Sequence, residues 1–271
     1  MPLRWRLLQD GAAHGAFNMG VDEALLASAI AGIATLRFYG WEGHWLSLGY
    51  AQRLDPRRIA GFAEAGVGIV RRVTGGRAVL HGNDLTYCLA APQSALPAGL
   101  RGSYQLVADA LIAGLESLGV TAERTLPPSA TSGSSDFDCF AVPAEDEICV
   151  RGRKLAGSAQ RRRRGGVLQH GSIRLAPDPP EVARVVGFAP GVATSLTELG
   201  MRVEREDLQE ALKAAFRKAL GSSLEESILS ASERRSAERR VEMHRGAFRS
   251  ETRAPSQSGP QEPIESADTE I

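Results

Sequence analysis

The sequence predicts a mixed α/β fold of the α+β kind, in which mixed sheets are flanked by helices. Short runs of apolar and β-branched residues, typical of strands, recur over the first 175 residues. Between these runs lie segments whose apolar residues repeat at helical spacing, the clearest of which begins at Ser103. With 271 residues, 43% hydrophobic and 24% charged, the chain is long enough for one globular domain and a tail.

Capping residues locate the helices in the first half of the chain. Asn18 is a suitable cap for a first helix that ends near Ile30. Asp55 followed by Pro56 is typical of a cap and the first helical residue. In chain order, the predicted elements are a strand at residues 3–8, a helix at 18–30, strands at 34–39 and 45–48, a helix at 56–65, and strands at 67–71 and 80–90.

The second half contains the clearest helix and the clearest hairpin. Apolar residues recur at helical spacing after Ser103 until Gly119 ends the pattern. Arg151 and Gly152 form a two-residue connection of the kind that closes a β-hairpin. The remaining predicted elements are strands at residues 120–124, 147–150, 153–160 and 167–175, a second turn at 161–166, and helices at 180–186 and 205–220.

A change of composition predicts that the folded domain covers residues 1–221. From Ser222 onward the chain becomes rich in Glu, Arg and Ser, which predicts a polar tail over residues 222–271. A polar helix is expected at about residues 232–244. Beyond Arg249 there are too few apolar residues to offset the entropy of ordering, so we expect disorder there.

Charge and cysteine content exclude several classes of protein. A formal net charge of +0 gives no argument for nucleic acid or a membrane as a partner. The three cysteines, at positions 88, 139 and 149, form neither a paired disulfide framework nor a metal-ligand pattern. No signal segment or membrane-spanning apolar run is present. We therefore expect a cytoplasmic protein without a metal. We also expect a monomer, although these observations do not decide the oligomeric state.

Lys154 is the first candidate functional residue. The 32 basic residues include only three lysines, so 29 are arginine, and Lys154 follows directly after Arg153. An ammonium can lose its proton whereas a guanidinium cannot, which favours a proton-handling role for Lys154. The alternative is that Lys154 is one more solvated charge in a basic hairpin.

Strand alternation predicts the surroundings of Lys154. Lys154, Ala156, Ser158 and Gln160 are expected on one face of the second hairpin strand, because successive side chains point to opposite faces. The small residues Gly157, Ser158 and Ala159 leave the backbone open to the close approach of a ligand.

Cys139 is the second candidate. It follows a Ser/Gly-rich stretch and precedes Pro143, a context typical of a loop rather than of a core strand. A nearby ammonium, such as that of Lys154, would lower the pKa of the thiol and favour the nucleophilic thiolate. The alternative is an inert small apolar residue, which is the interpretation that we give to Cys88 and Cys149.

A glycine-bearing loop is the third candidate. Residues 71–81 read Arg-Arg-Val-Thr-Gly-Gly-Arg-Ala-Val-Leu-His. Paired glycines can turn backbone N–H groups toward an anion or a carbonyl, and arginines can hold phosphates or carboxylates. The loop matches neither the P-loop nor the dinucleotide-binding fingerprint.

Taken together, these segments resemble the lipoate/biotin protein ligase superfamily, and most closely its cysteine-dependent octanoyltransferases. The resemblance runs in order over most of residues 18–175. The matching segments are Asn18-Met19-x-x-Asp22-x-x-Leu25, Ser47-Leu48-Gly49-Tyr50-x-Gln52, Arg71-Arg72-x-Thr74-Gly75-Gly76-Arg77-Ala78-Val79-Leu80-His81, Asp84-Leu85-Thr86-Tyr87, Asp138-Cys139-Phe140, Gly152-Arg153-Lys154-Leu155-x-Gly157-Ser158-Ala159-Gln160 and Leu168-Gln169-His170-Gly171-Ser172-Ile173.

The resemblance implies the fold of a biotin/lipoate-protein ligase catalytic domain and an acyl-binding tunnel. It also implies that Cys139 carries the acyl group as a thioester, that Lys154 lowers the pKa of its thiol, and that neither ATP nor a metal is needed. The expected donor is octanoyl-acyl carrier protein, and the expected acceptor is a lysine of a lipoyl-domain protein such as the glycine cleavage H protein. The expected substrate-binding residues are Arg72, Thr74, Gly75, Gly76, Arg77, His81, Gly157, Ser158, Ala159, His170 and Gly171.

The residues alone allow more than one role for the histidines and more than one function. His81 and His170 either orient the reacting groups or are satisfied structural histidines, whereas we expect His14, His44 and His244 to be structural. Backbone N–H groups of residues 157–159 are candidates for stabilising an oxyanion. The alternative functions are an ATP-dependent lipoate-protein ligase, an octanoyl amidotransferase between lipoyl proteins, and a non-catalytic module that binds acyl carriers.

Overall fold

The computed structural model describes residues 4–125, 147–187 and 191–251, with the backbone alone at residues 245–251. Cys139 therefore lies outside the described residues, as does the chain beyond residue 251. The helices are α1 Gly15–Ile30, α2 Pro56–Glu64, α3 Gly99–Ser117, α4 Pro180–Val186, α5 Arg205–Ala219 and α6 Ala231–Glu251. The strands are β1 Trp5–Ala13, β2 Ala34–Trp41, β3 His44–Leu48, β4 Val67–Arg71, β5 Val79–His81, β6 Asp84–Pro92, β7 Glu123–Arg124, β8 Ile148–Val150, β9 Arg153–Arg163, β10 Gly166–Arg174 and β11 Leu224–Glu226.

Two mixed sheets form the framework, so the predicted fold class is confirmed. The large sheet has eight strands in the order β11-β1-β2-β6-β10-β9-β8-β7, and the small sheet has three in the order β4-β3-β5. In the large sheet β1 is parallel to β2 and β11, and the remaining neighbours are antiparallel. In the small sheet β3 is parallel to β4 and antiparallel to β5.

Helices cover the sheets and bury three apolar clusters. One cluster lies between the large sheet and the packed pair α3 and α5, and a second lies between that sheet and the packed pair α1 and α6. The third fills the space between the small sheet and helices α2 and α4. Strands β2, β6 and β10 are buried along almost their whole length, because they lie in the middle of the large sheet with helices on both faces.

The first helix begins three residues before the predicted cap, so the role predicted for Asn18 is wrong. His14 caps α1 instead, since its Nδ1 accepts a hydrogen bond from the backbone N–H of Ala16 at 3.2 Å. Asn18 is a fully buried residue inside the helix. Its side-chain amide donates to the carbonyl of Gly40 at 2.8 Å, which ties the helix to β2. Without such a partner, asparagine is unfavourable inside a helix and favourable at its N-terminus, so the residue type alone predicts a cap.

The single strand predicted at residues 80–90 is two strands that belong to different sheets. His81 ends β5 in the small sheet, and Asp84 begins β6 in the large one. The chain turns between them at Gly82, whose φ of 144° is a conformation that residues with a side chain rarely adopt. This turn places His81 and Asp84 where the two sheets meet.

The two predicted hairpin turns are both present, but the second is shorter than predicted. Arg151 and Gly152 have φ values of 52° and 73°, as a two-residue hairpin with the twist of its strands requires. Arg164 and Gly165, with φ values of 49° and 82°, close the next hairpin in the same way. Arg161, Arg162 and Arg163 therefore belong to β9 and not to the turn.

Most other boundaries lie within a few residues of the predictions. Asp55 caps α2 as predicted, since its side chain accepts from the backbone N–H of Arg57 at 2.9 Å. Helix α3 begins at Gly99, four residues before Ser103, and β7 begins at Glu123 rather than at Val120. No helix among the described residues has the length and apolar character needed to cross a bilayer.

The chain after Gly221 returns to the large sheet, which corrects the first part of the predicted tail. Strand β11 pairs with β1, and α6 packs on α1. The packing is close at Gly20, because a Cβ there would lie 2.7 Å from the Cα of Ala237, which is itself fully buried. The predicted polar helix thus exists, but one of its faces covers the core. The disorder predicted beyond Arg249 remains a prediction for residues 252–271, which lie outside the described residues.

Glu233 anchors α6 to the start of the fold. Its carboxylate accepts two hydrogen bonds from the Arg6 guanidinium, both at 3.1 Å, and one from the Ser28 hydroxyl at 2.7 Å. The backbone N–H of Ser230 donates to it at 2.8 Å. Although burial alone would raise the pKa of Glu233, these hydrogen bonds lower it to about 2.

Replacing Glu233 with Gln is expected to reduce the free energy of unfolding at pH 7 by about 1–3 kcal/mol, since the charged acceptor of this network is lost. The native pKa lies below the ordinary value of 4.5, so the carboxylate stabilises the fold above pH 4.5 and loses this effect as the pH falls toward 2. Urea unfolding at pH 7 and at pH 3 measures both effects. Glu238→Gln, at an exposed position of the same helix, is the control. Equal losses in the two variants would contradict this assignment.

Candidate active site

A β-bulge in β9 decides where the Lys154 side chain points. Cys149 of β8 pairs with Lys154 and the adjacent Ile148 pairs with Ala156, so Leu155 is an extra residue in β9. Leu155 and Ala156 consequently both face the same apolar cluster. The prediction that Lys154, Ala156, Ser158 and Gln160 share one face of β9 is therefore wrong, because the bulge interrupts the alternation. Lys154 instead points to the side of Gly157.

Lys154 is fully buried and paired with an acidic residue that the sequence analysis did not single out. Its Nζ donates a hydrogen bond to the carboxylate of Glu147, which is 5% exposed. The backbone of Lys154 is held on the other side by residues 192–194, through hydrogen bonds to Val192 and from Thr194. The alternative of a solvated charge is thus wrong, because a buried ammonium requires a partner of this kind.

Gly157 provides the space that the Lys154 side chain occupies. A Cβ at position 157 would lie 2.8 Å from Cε and 2.9 Å from Nζ of Lys154. The lysine amine therefore lies directly against the backbone of β9. Glycine at this position admits the Lys154 side chain, whereas the predicted approach of a ligand to it stays a prediction.

Next to Gly157 a narrow cleft opens between the two sheets. Gly157, Ser158 and Ala159 form one wall, and His170 and Gly171 of the neighbouring β10 continue it. Arg72 and His81 line the cleft from the side of the small sheet. The cleft thus brings together the predicted part of β9, Arg72 and the two histidines. The predicted loop residues Thr74, Gly75, Gly76 and Arg77 do not line it.

The Ser158 side chain is the exception among these wall residues. Its hydroxyl forms a hydrogen bond with the hydroxyl of Tyr87 at 2.7 Å. Gly157 and Ala159 face the opposite side of β9, where the cleft lies. Gly171 is packed between the Gly157 carbonyl and the Tyr87 ring, since a Cβ at position 171 would lie 2.5 Å from the carbonyl oxygen and 2.6 Å from the ring. Ser158 and Gly171 therefore shape the cleft through their backbones.

His170 connects helix α1 to the glycine-bearing loop. Its Nδ1 lies 2.7 Å from the carboxylate of Asp22, and its Nε2 lies 2.7 Å from the hydroxyl of Thr74. Asp22 also accepts hydrogen bonds from Tyr39 and Arg37, each at 3.0 Å. Burial alone would raise the pKa of Asp22, but His170 and Arg37 lower it below its ordinary value. Because the Asp22 carboxylate can only accept, the Nδ1 of His170 carries a proton.

His81 forms a second connection of the same kind. Its Nδ1 lies 2.8 Å from the carboxylate of Asp84, and its Nε2 lies 2.8 Å from the hydroxyl of Ser47. The imidazole stacks on the indole of Trp41, with ring centroids 4.0 Å apart. Both histidines are thus fully hydrogen-bonded at the wall of the cleft, in orientations that their carboxylate partners determine.

Asp84 is the centre of this second network. Besides His81, it accepts hydrogen bonds from the hydroxyls of Ser172 at 2.6 Å and Thr86 at 3.0 Å, and from the backbone N–H of Gly82 at 2.9 Å. Although burial raises the pKa of this carboxyl, the His81 charge and the hydrogen bonds lower it to about 2.

Arg72 holds the glycine-bearing loop in place. Its guanidinium donates to the backbone carbonyls of Ser47 at 2.7 Å, Gly75 at 2.9 Å and Arg77 at 2.6 Å. The structure therefore gives Arg72 a positioning role in addition to its place in the cleft wall. Arg77 contributes its carbonyl to this arrangement, and its side chain is half-buried.

Glycines allow the loop to pack against β3. Gly76 has a φ of 89°, which favours glycine, and its carbonyl would lie 1.9 Å from a Cβ at Gly49. Gly75 has open space around its Cα. The pair of glycines thus serves the close packing of two loops, and nothing in these contacts assigns a ligand to their N–H groups.

The cysteines and histidines interpreted as structural are mostly as expected. Cys88 and Cys149 are buried, and burial raises the pKa of Cys149 to about 11 and that of Cys88 well above its ordinary value. His244 bonds to the backbone carbonyl of Ile69 at 2.6 Å, and His14 caps α1. The Nδ1 of His44 is buried and has no hydrogen-bond partner among the described residues.

Sequence reasoning missed the acidic partners of the site. Asp22 and Asp84 belong to matching segments, but their roles depend on His170, 148 residues from Asp22, and on a turn that was predicted to be a strand. Glu147 pairs with Lys154 across a hairpin, which a two-residue turn could have indicated. No group of three or more His, Cys, Asp and Glu residues suited to a metal occurs in the described part of the chain.

Replacing Asp84 with Asn is expected to reduce the free energy of unfolding at pH 7 by about 2 kcal/mol or more, since the amide cannot accept all four hydrogen bonds. The native pKa of about 2 lies below the ordinary 3.8, so the carboxylate stabilises the fold above pH 3.8 and loses this effect as the pH falls toward 2. Urea unfolding from pH 7 to pH 2 measures the difference.

Asp109→Asn is the control for this change, because Asp109 is largely exposed and forms only a 3.7 Å ion pair with Arg124. The control is expected to change the stability by less than about 0.5 kcal/mol. A difference between Asp84→Asn and the unmodified protein that stays constant down to pH 2 would contradict the role of the charge.

The chain is similar to known proteins in family, in sequence and in fold. Residues 14–217 match the family model described as the lipoyl protein ligase A/B catalytic domain. The chain is 40% identical to the octanoyltransferase LipM of Kyrpidia tusciae, over 86% of this chain and 93% of that protein. It is 36% identical to the octanoyltransferase LipM of Symbiobacterium thermophilum, over 91% and 97% of the two chains.

Solved structures resemble the fold at lower identity. A putative lipoate protein ligase from T. acidophilum with bound lipoic acid has a TM-score of 0.73 and 21% identity, over 89% of this chain and 95% of that one. A lipoate-protein ligase A bound with ATP has a TM-score of 0.70 and 21% identity, over 88% and 94% of the two chains. At this identity the likeness supports the fold alone.

Proposed function

Because the chain belongs to the lipoyl protein ligase A/B catalytic-domain family, we propose that it is an acyltransferase of lipoate biosynthesis that transfers an octanoyl group. The relatives at 36–40% identity that extend over most of the chain are named octanoyltransferases. We propose octanoyl-acyl carrier protein as the donor and a lysine of a lipoyl-domain protein, such as the glycine cleavage H protein, as the acceptor. Neither ATP nor a metal takes part in this reaction.

The observation that carries the proposal is the buried Lys154 beneath Gly157, at the edge of the cleft. Its partner Glu147 is the first described residue after the segment that contains Cys139, eight positions earlier in the chain. A short connection therefore joins the proposed nucleophile to the carboxylate that fixes the ammonium. A lysine so constrained can present its charge in one direction only, which suits the stabilisation of a thiolate.

In the first step the Cys139 thiolate attacks the carbonyl carbon of the octanoyl thioester. The tetrahedral intermediate collapses, the bond to the sulfur of the carrier breaks, and the carrier leaves as a thiolate that takes up a proton. Cys139 then holds the octanoyl group as a thioester. Beyond Ala156, β9 pairs with β10 on one edge and has no partner on the other edge among the described strands, so its backbone N–H groups there suit the developing oxyanion.

In the second step the amine of the acceptor lysine attacks the Cys139 thioester. That amine has an ordinary pKa near 10.4, so it must lose a proton before or during the attack. The Cys139 sulfur departs as a thiolate with the electron pair of the broken bond. Because the Lys154 ammonium gives its proton to the carrier thiolate in the first step, its neutral amine can take the proton that the attacking nitrogen loses here, which restores the ammonium and the thiolate. The Lys154 amine is the group of the described site that we assign to this proton transfer.

The histidines act as positioning residues in this proposal. Both ring nitrogens of His81 and of His170 are hydrogen-bonded to other side chains. They fix the glycine-bearing loop and β3 against the wall of the cleft, where the octanoyl chain is expected to bind. The walls made by Met19, Trp41 and Val79 supply apolar contact for that chain.

Incubation with octanoyl-acyl carrier protein in the absence of ATP is expected to add one octanoyl group to the protein, and Cys139→Ser is expected to abolish the adduct, because an alcohol is a far weaker nucleophile than a thiolate. Mass spectrometry of the intact protein measures the adduct. Cys149→Ser, at a buried thiol, is the matched control and is expected to keep it.

The same measurement separates the alternative functions. Product that requires ATP and free octanoate, with no adduct, would support a lipoate-protein ligase. An adduct that forms from an octanoylated lipoyl domain but not from the acyl carrier would support an amidotransferase. No adduct and no product under any of these conditions would support a binding module.

Replacing Lys154 with Ala is expected to raise the pKa of the Cys139 thiol, since the stabilising ammonium is lost. The folded protein is alkylated at a series of pH values, and the extent of reaction is read on the peptide that contains Cys139. The pH profile of the alkylation rate is expected to shift to higher pH. Lys213→Ala is the control, because Lys213 pairs only with Glu210 at the surface. An unchanged pH profile in Lys154→Ala would refute the role of the lysine.

A further inference from the structure

Four consecutive arginines at the end of β9 form a local excess of positive charge. The basic rim consists of Arg161, Arg162, Arg163 and Arg164, of which the last two are exposed. None of them has a carboxylate within ion-pair distance among the described residues. Because the whole chain has a formal net charge of +0, this excess is a feature of one part of the surface.

The Arg162 side chain is occupied by hydrogen bonds within the protein. Its guanidinium donates to the carbonyl of Gly99, to the hydroxyl of Ser103 at 2.9 Å and to the Gln160 side chain at 2.9 Å. These bonds attach the end of β9 to the start of α3. Arg162 therefore fixes the strand from one face, while Arg161 and Arg163 project from the other face.

Arg161 lies on the face of β9 that forms the cleft. It follows Ala159 by two residues, and Ala159 lines the cleft. Its guanidinium carbon lies 5.1 Å from the centroid of the Tyr50 ring, which is 60% exposed. The backbone N–H of Tyr50 bonds to the carbonyl of Thr74 at 2.8 Å, which holds this ring at the glycine-bearing loop. An exposed aromatic ring and a guanidinium thus stand together beside the cleft.

We propose that Arg161, Arg163 and the Tyr50 ring form the docking surface for the acidic acyl carrier domain that delivers the octanoyl group. Such a domain presents its acyl group on an arm attached through a phosphodiester, and a guanidinium matches the geometry of phosphate and carboxylate oxygens. Unpaired positive charge beside the cleft raises the association rate with an acidic partner. The acceptor domain offers a lysine without a phosphodiester, which favours the donor as the occupant. This inference rests on the proposed function.

The test compares Arg161→Glu and Arg163→Glu with the unmodified protein. The rate constant for acylation by octanoyl-acyl carrier protein at low salt is expected to fall about tenfold or more in each variant. Acylation by the octanoyl thioester of N-acetylcysteamine, which has neither an acidic domain nor a phosphate, is expected to change less than about twofold. Octanoyl-CoA carries phosphates but no protein domain, so the rate constant for acylation by octanoyl-CoA distinguishes recognition of the phosphate from recognition of the domain. Higher ionic strength is expected to reduce the difference between the variants and the unmodified protein.

Arg235→Glu is the matched control, because Arg235 is an exposed arginine on α6. An equal loss in this control, an equal loss with the N-acetylcysteamine thioester, or a loss confined to transfer onto the lipoyl domain would each overturn the docking proposal. Binding of the acyl carrier protein is also measured directly, as a Kd at low salt, and is expected to weaken about tenfold in the two rim variants. A failure of the proposed chemistry would abolish acylation of the unmodified protein by every donor, whereas a failure of the docking proposal alone would leave the Kd unchanged.

Discussion

A buried group of charges around Arg37 and Asp22 connects the parts of the fold that form the site. Both side chains are almost inaccessible to solvent, and they meet at 3.0 Å. Arg37 also donates to Asp10 at 2.6 Å and to the Asn18 side chain at 3.0 Å. Buried charges are tolerated only when each is paired and hydrogen-bonded, so every member restricts where the others can lie. Since Asp22 is also the partner of His170, the first helix, β2 and β10 are fixed relative to one another.

Two aspartate–histidine pairs join the large sheet to the small one. Asp84 and His81 link the start of β6 to the end of β5, and Asp22 and His170 link α1 and β10 to the loop that follows β4. The cleft lies between the sheets that these pairs hold together. The polar residues at the cleft therefore serve two purposes, since they line it and also determine its width. This explains why charged groups that would be costly elsewhere are retained in the interior.

Local patterns in the sequence were sufficient for most elements but not for the points where tertiary contacts override them. The Asp55 cap and the Arg151-Gly152 turn depend on neighbours in the chain, and both were predicted. Asn18 resembles a cap by its type, yet it is buried because Gly40, 22 residues away, supplies a partner. The residues 80–90 read as one apolar strand, since the pattern does not reveal that the chain changes sheets at Gly82. The approach of Lys154 to Gly157 depends on the bulge at Leu155, which alternation alone does not reveal.

The extra residue in β9 makes the site depend on how many residues the strand contains rather than on their chemical character. Leu155 is an unremarkable core residue by type, and a similar apolar residue in its place would preserve the packing. Removing it would restore regular alternation and turn the amine of residue 154 away from the neighbouring glycine, toward the opposite face. Substitution by a similar apolar residue is thus tolerated at this point of the strand, whereas the insertion or deletion of one residue is not.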